Sequence, residues 1–272
     1  MRLKRVLHVF RNTPIGRETL LGALHLCSST GMQLYLYRPH TPRFTLQFAN
    51  ELIEIPLDAS FTRDQRTARR HAEELSAEHH TVIHWVSNHH QLASTLPVIP
   101  DTFDLMTSPH SIAGPGQQGS AAFVGSRVRR LIRTAHHPVV ILPAPFVPWD
   151  RITVFFAGSS HAVCALAWAR AIAQASGVPY QVLTHDEGNA VAKASQALES
   201  NGWLKDIQAN WRILPKGAFE NNLWDVPRTS LIVAGAFGSG GVKARLFGSR
   251  TELLLSQLVN PFLLVGPHAT MP

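Results

Sequence analysis

The chain writes one structural pattern twice, and that repetition restricts its architecture more than any other feature. "RVLHVFRNTPIGRETLLGALHLCSSTGMQLYLY", from Arg5, and "RITVFFAGSSHAVCALAWARAIAQASGVPYQVLT", from Arg151, follow the same course. Each passes from an apolar strand through a polar turn into a helix rich in Ala and Leu, then a glycine at the helix end and a second strand. "GSRVRRLIRTAHHPVVILPAP", from Gly125, and "GSRTELLLSQLVNPFLLVGP", from Gly248, echo each other as well. Both open on Gly-Ser-Arg, continue as a helix with an apolar face, break before a proline and close as a strand. Two echoes in the same order mark an internal duplication. Each half is therefore expected to alternate β-α-β-α-β-α-β-α-β, which implies parallel sheets covered by helices on both faces.

In the second half the strands are expected near 152–157, 180–185, 208–214, 230–235 and 261–265, with helices near 160–176, 188–201, 217–225 and 249–259. The unbroken apolar runs "LIVAGA" and "FLLVG" suit buried parallel strands. In the first half, the helix "TRDQRTARRHAEELSAEHH" and the strand "VIHWV" stand out. The stretch from Pro39 to Phe61 is longer than its counterpart and reads as an extra strand or an irregular excursion. The prolines of "LPAPFVPWD" disfavour regular structure, so the boundary falls near Val147, giving domains at 1–147 and 148–272.

Composition narrows the class. Hydrophobic residues make up 45% of the 272 and aromatic residues 8%, enough for two ordinary cores and too many for disorder. No apolar run is long enough to span a bilayer, because Arg, His, Pro or Gly interrupts each one. "MRLKRVLHVFRNTP" begins basic, but His8 and Arg11 break its apolar part, so it reads as a first strand and not as a signal peptide. Cys27 and Cys164 both fall in helical patterns and read as buried, reduced thiols. These features lead us to expect a cytoplasmic protein without membrane insertion. The formal charge of +7 favours anionic partners, yet the basic residues are dispersed and no run of like charges marks a nucleic-acid tail.

The most informative chemistry lies in "LIVAGAFGSGGVKARLFGSRTELLL". Gly235, Gly238 and Gly248 form G-x2-G-x9-G, followed directly by Ser249, between a buried strand and a helix. In an open α/β sheet ligands sit at the carboxyl ends of the strands. Glycines there let backbone N–H groups approach phosphate oxygens, and the helix start offers free N–H groups and a positive dipole end. Lys243, Arg245 and Arg250 add positive charge. The same residues admit a plainer reading, since Ser249-x-x-Glu252 is a capping box that would simply start a helix. A P-loop is not present, because Lys243 lacks its signature, and the first strand-helix turn of this half is "AGSSHA", not G-x-G-x-x-G.

With Gly235-x2-Gly238-x9-Gly248-Ser249 in view, nearly the whole chain resembles the universal stress protein family in a tandem, two-domain form. "RTELLLSQLVNPFLLV" is similar to the family's closing helix and strand, and "GSSHAVCALAWARAIAQASG" to its first strand-helix unit. The resemblance implies two doubly wound five-stranded parallel sheets of the adenine-nucleotide alpha-hydrolase type. It also implies pairing through the last strands, so that "VVILP" and "FLLVG" meet across a pseudo-twofold axis. It implies an adenine nucleotide (ATP, ADP or AMP), with Mg²⁺ as its companion ion. Gly235, Gly238, Gly248, Ser249, Arg250 and Thr251 would hold phosphates, while Ala157, Leu183 and Thr184 would face the nucleoside.

Two departures from the family pattern matter. Family members that bind ATP carry an Asp at the end of the first strand, where the second half has Ala157. The loss of such a contact is worth about 1–3 kcal/mol when desolvated. The first half departs further. Gly114, Gly116, Gly119 and Gly125 do not complete the motif, Pro115 removes an N–H, and Arg11 or Asn12 takes the Asp position. One nucleotide per chain, in the second half, is the expectation.

Other constellations carry less. His71, His79, His80, His84, His89 and His90 match no metal spacing and have no Cys nearby. Ser159, Ser160 and His161 are neighbours in sequence without a nucleophile elbow. No carboxylate of the second half is placed by motif for Mg²⁺ or water. Trp168 reads as core, whereas Trp203, Trp211 and Trp224 are not interleaved with basic residues as a nucleic-acid surface requires. The sequence therefore reads as a nucleotide-responsive stress or signalling module and not as an enzyme. Its partners would be the nucleotide, an unidentified protein that senses the loop from Gly238 to Phe247, and a second copy in a homodimer. The alternatives are a module of the same fold that binds no nucleotide, its loop filled by Phe237 or Phe247, and a weak ATP hydrolase.

Overall fold

The computed structural model describes residues 4–39, 43–47, 52–56, 65–86, 90–91, 97–100, 102–110, 124–237 and 249–272. The first half contributes β1 (Arg5–Val9), α1 (Pro14–Thr30), β2 (Gln33–Tyr37), β3 (Arg43–Gln47), β4 (Leu52–Pro56), α2 (Gln65–Glu78), β5 (Ile83–Trp85), β6 (His90–Gln91), β7 (Pro97–Pro100), β8 (Leu105–Pro109), α3 (Ser126–Thr134) and β9 (Val139–Leu142). The second contributes β10 (Arg151–Phe155), α4 (Ser160–Ser176), β11 (Tyr180–His185), α5 (Ala190–Ser200), α6 (Leu204–Ile207), β12 (Trp211–Leu214), β13 (Ser230–Gly235), α7 (Ser249–Gln257) and β14 (Phe262–Val265).

The expected duplication is visible residue by residue. Thr13 caps α1 by accepting from Gly16 N at 3.0 Å, and Ser159 caps α4 by accepting from Ala162 N at 3.2 Å. Both helices stop at a glycine in the left-handed region, Gly31 and Gly177, each with φ of 71°. A side chain there would strain the backbone, so the repeated glycine ends the helix at the same point in both halves.

Ten strands form one sheet in the order β12-β11-β10-β13-β14-β9-β8-β1-β2-β5. The order is symmetric about its centre: the outer strands on each side are parallel, and β14 meets β9 antiparallel, Phe262 opposite Ile141, Leu263 opposite Val140 and Leu264 opposite Val139. The two expected five-stranded sets thus join edge to edge, through the two segments that the repeat singled out. Side chains alternate across this seam. Val140 and Leu263 enter a core shared with α1, α2, α4 and α5, while Val139, Ile141, Phe262 and Leu264 enter a second core under α3 and α7. Helices on both faces explain the continuous apolar strands.

The structure departs from the sequence expectation in three places, and meets it in a fourth. Residues 219–225 form a 3-10 turn and not an α-helix. Residues 208–210, expected to open a strand, are 3-10 as well, and β12 starts at Trp211. The long stretch after Pro39, expected to hold an extra strand or an excursion, does supply strands: β3 pairs antiparallel with β4 in a separate small sheet ordered β4-β3-β7-β6. Among the described residues no helix lies between β5 and β8, where the alternation called for one; β6 and β7 stand there and join that sheet. Leu46 and Ile53 bury their side chains in the α3 and α7 core, so the excursion is anchored to it.

Asn260, at the Asn-Pro break, is buried, and its Nδ2 reaches the carbonyls of Pro227 (2.9 Å), Arg228 (3.0 Å) and Ser230 (2.8 Å). It fixes where β14 enters the sheet. Among the described residues no helix is long and apolar enough to cross a membrane. Phe262 is fully buried opposite Ile141. Phe262→Ala is expected to cost about 3–5 kcal/mol in urea unfolding, with a loss below 1 kcal/mol showing that the seam does not carry the fold.

Candidate functional site

The carboxyl ends of β10, β11 and β13 lie side by side, because the three strands are parallel neighbours. Ala157 is exposed just beyond β10. Gly235 ends β13 against the first turn of α4: a Cβ added to it would come within 2.8 Å of His161 C and 2.9 Å of Ala162 N. Its lack of a side chain thus serves close strand–helix contact. Thr251, in the first turn of α7, donates from Oγ1 to Gly235 O at 3.3 Å. This bond pins together the two ends of the glycine loop. Gly238 and Gly248, with Lys243, Arg245 and Phe247, lie outside the described residues, and Ser249 is described only as the start of α7.

The nucleoside-facing residues expected on β11 are placed differently. Leu183 is buried in the α3 and α7 core. Thr184 is also buried; its hydroxyl donates to Phe156 O at 2.8 Å and accepts from Trp211 Nε1 at 2.9 Å. Neither side chain is available at the surface, and Thr184 works as a strut between β10, β11 and β12.

Arg250 is held by residues that the motif did not single out. Its guanidinium bonds to the Glu187 carboxylate and lies 5.8 Å over the Phe219 ring. That hydrogen bond, more than any other influence, holds the Glu187 carboxyl below its ordinary range. His185 is buried, with its ring 5.3 Å from Phe219 and its Nδ1 3.4 Å from Glu187 Oε2, outside hydrogen-bond geometry. The available signal was "DEG" directly after β11, carboxylates at a strand end beside a basic helix start. Glu252, read from the sequence as part of a capping box, reaches across to the other half. Its carboxylate pairs with Arg129 of α3, one oxygen with each terminal nitrogen, across the seam. His161, in the first turn of α4, keeps Nδ1 buried without a hydrogen-bond partner; burial first and His268 second lower its pKa.

The equivalent edge of the first half has a different character. Gly125 N donates to His110 O at 2.9 Å, closing the loop base there, while Gly114, Gly116 and Gly119 lie outside the described residues. At the expected Asp position, Arg11 is followed by Asn12, whose Oδ1 accepts from Arg17 at 3.2 Å and sits 3.2 Å from His71 Nδ1. Beneath them His8 is fully buried. Thr107 donates to Leu7 O at 3.3 Å and so accepts from His8 Nδ1 at 2.7 Å.

Comparison with known proteins bears on the fold. No family model and no curated protein matches the chain. Among solved structures, a universal stress protein from Archaeoglobus fulgidus DSM 4304 aligns with a TM-score of 0.61 at 13% identity, over 98% of this chain and 99% of that one. The fold is that of the universal stress proteins. A functionally unknown protein of Pseudomonas aeruginosa PAO1 aligns at 0.60 with 15% identity, over 98% of this chain and 93% of its own. The cytoplasmic domain of a prokaryotic cation chloride cotransporter aligns at 0.51 with 10% identity, over 97% and 95%.

Two measurements test this geometry. Thr184→Val removes the acceptor of Trp211 and the donor to Phe156, and is expected to cost about 1–3 kcal/mol in urea unfolding; no loss would mean the strut is idle. The second concerns pH. Burial, and then the charge of Arg11, lower the pKa of His8 from 6.5 to about 3. The native state therefore refuses a proton that the unfolded chain accepts, so stability is complete above pH 6.5 and declines toward pH 3, by about 1.4 kcal/mol per pH unit. His8→Gln is expected to flatten that decline relative to the unaltered protein in unfolding at pH 7, 6 and 5. Parallel slopes would contradict it.

Proposed function

We propose that the protein is a nucleotide-responsive, non-catalytic module of universal-stress type, built of two units, 1–147 and 148–272. An adenine nucleotide would bind at the carboxyl edge of β10, β11 and β13. The observation that carries this reading is the closed base of the glycine loop. Gly235-x2-Gly238-x9-Gly248-Ser249 leaves β13 and re-enters at α7, and Thr251 Oγ1 bonded to Gly235 O holds both ends at one strand edge. Backbone N–H groups of such a loop would serve an anion at that edge.

The residues fit the phosphate end of such a ligand better than its nucleoside end. Arg250 and the starts of α4 and α7 suit phosphate, with Mg²⁺ as a further counter-charge. Ala157 offers no polar group, and Leu183 and Thr184 turn inward. Arg250 must also be drawn from Glu187, so affinity for the charged nucleotide depends on that exchange. The module would act in the cytoplasm, alone or as a homodimer, by presenting a changed loop surface to a protein partner.

One observation favours a second reading, a module of the same fold that binds partners without nucleotide. Phe237 adopts a φ of 60° and is half-buried against the α7 core. A non-glycine residue held in that region costs roughly 1–2 kcal/mol, which its apolar packing offsets. Such packing would fill part of the space a ligand needs.

Calorimetric titration of ATP, ADP and AMP with Mg²⁺ decides between the two. The nucleotide reading expects saturable micromolar binding at one site per chain, weakened at least tenfold by Gly248→Val and strengthened by Glu187→Gln. No heat at millimolar ATP with folded protein would leave the partner-binding module.

A further inference from the structure

The second-half edge holds one side chain that the nucleotide reading does not use. His185 closes β11 at the carboxyl end and is 5% exposed, and among the described residues neither of its ring nitrogens makes a hydrogen bond. Buried polar groups in folded proteins are nearly always satisfied, so an imidazole left bare at a strand end calls for a reason.

Its surroundings narrow the reason. Phe219 meets the ring edge-on at 5.3 Å, and Leu214 of β12 lies opposite; neither carries a charge. Asp186, the next residue, faces Lys216 at 3.9 Å. The charged groups that remain are Glu187 and Arg250. Oε2 of Glu187 stands 3.4 Å from His185 Nδ1, and it is the same oxygen that accepts from the Arg250 guanidinium. Arg250 also lies over the Phe219 ring that His185 meets. One carboxylate oxygen thus stands between two nitrogen groups, bonded to one and within a small movement of the other. Both act on it: Arg250 is the foremost cause of the lowered Glu187 pKa, and His185 a lesser one.

An anion that draws Arg250 away leaves the Glu187 carboxylate facing His185 alone. A protonated imidazole can then replace the guanidinium, through a charge-assisted hydrogen bond that also satisfies the bare ring nitrogen. The first half has no such group. Val9 is level with Tyr37 as Phe155 is with Leu183, so the counterpart of His185 is Pro39, which carries nothing to protonate.

We infer that His185 is a positioning residue of the second-half anion site: when a phosphate-bearing ligand takes Arg250, Glu187 passes to His185, which accepts a proton from solvent. Binding of the ligand and of the proton then favour each other, so affinity rises as pH falls. The ligand step rests on the nucleotide reading; the exchange of Glu187 between Arg250 and His185 does not.

The exchange is tested first, without ligand. Arg250→Met imitates withdrawal of the guanidinium. Nitrogen NMR of the His185 ring at pH 6.5 is expected to show a larger protonated fraction in Arg250→Met than in the unaltered protein, with the excess abolished when Glu187→Gln is added. Equal fractions in all three proteins would overturn the inference. The second measurement is calorimetric titration of ATP with Mg²⁺ at pH 6 and pH 8, in pairs of buffers that differ in ionisation enthalpy. Proton uptake and a severalfold gain in affinity at pH 6 are expected beyond those of His185→Gln, which subtracts the titration of the ligand itself. ATP bound with the same proton uptake and pH dependence in His185→Gln would also overturn the inference. Thermal unfolding verifies that each variant is folded, and the exposed Glu187→Gln supplies the comparison if His185→Gln is not. If ATP does not bind, the nucleotide reading fails, and the NMR comparison alone upholds or overturns the exchange.

Discussion

The antiparallel ladder between β9 and β14 is the contact on which the rest of the molecule depends. Each half, taken alone, would end in a short strand of large apolar residues with an open row of backbone donors and acceptors. Such an edge invites pairing with any other chain. Here each half closes the other: the N–H and C=O groups of Val139–Leu142 and Phe262–Val265 face one another, and their side chains feed both cores. The ladder makes one sheet of ten strands, and it sets the two carboxyl edges on opposite flanks of a common centre.

Much of this was legible because repetition is a strong signal. Gly31 and Gly177 ended matching helices in the sequence, and the structure finds both at the same left-handed angle. The bounds of α4, β11 and β13 coincide with the apolar patterns that suggested them. Failures came where tertiary partners outvote local pattern. The stretch 219–225 had helical periodicity but only seven residues in which to bury Phe219 and Leu223, and it tightened into a 3-10 turn. Glu252 was legible as a local capping residue, but its partner Arg129, 123 residues distant and bidentate across the seam, was not. No local rule reaches that far.

The site was less legible than the fold for a related reason. A motif names the residues that a loop needs, but it does not say which neighbours are already engaged. Thr184 was expected at a nucleoside because of where β11 ends; pairing with Trp211 and Phe156 turns it into a structural strut. Arg250 was expected at phosphate, and the structure supplies Glu187 and Phe219 as its resting partners.

The Arg129–Glu252 pair has a consequence for how the halves sense one another. Arg129 lies in the first turn and a half of α3, and Glu252 occupies the corresponding place in α7. Each helix begins where the loop of its own half returns to the sheet. A movement that lifts either helix start pulls on a two-pronged, mostly buried bond whose other end is rooted in the opposite helix. Displacement of either helix start is therefore resisted by the opposite helix as well as by its own half.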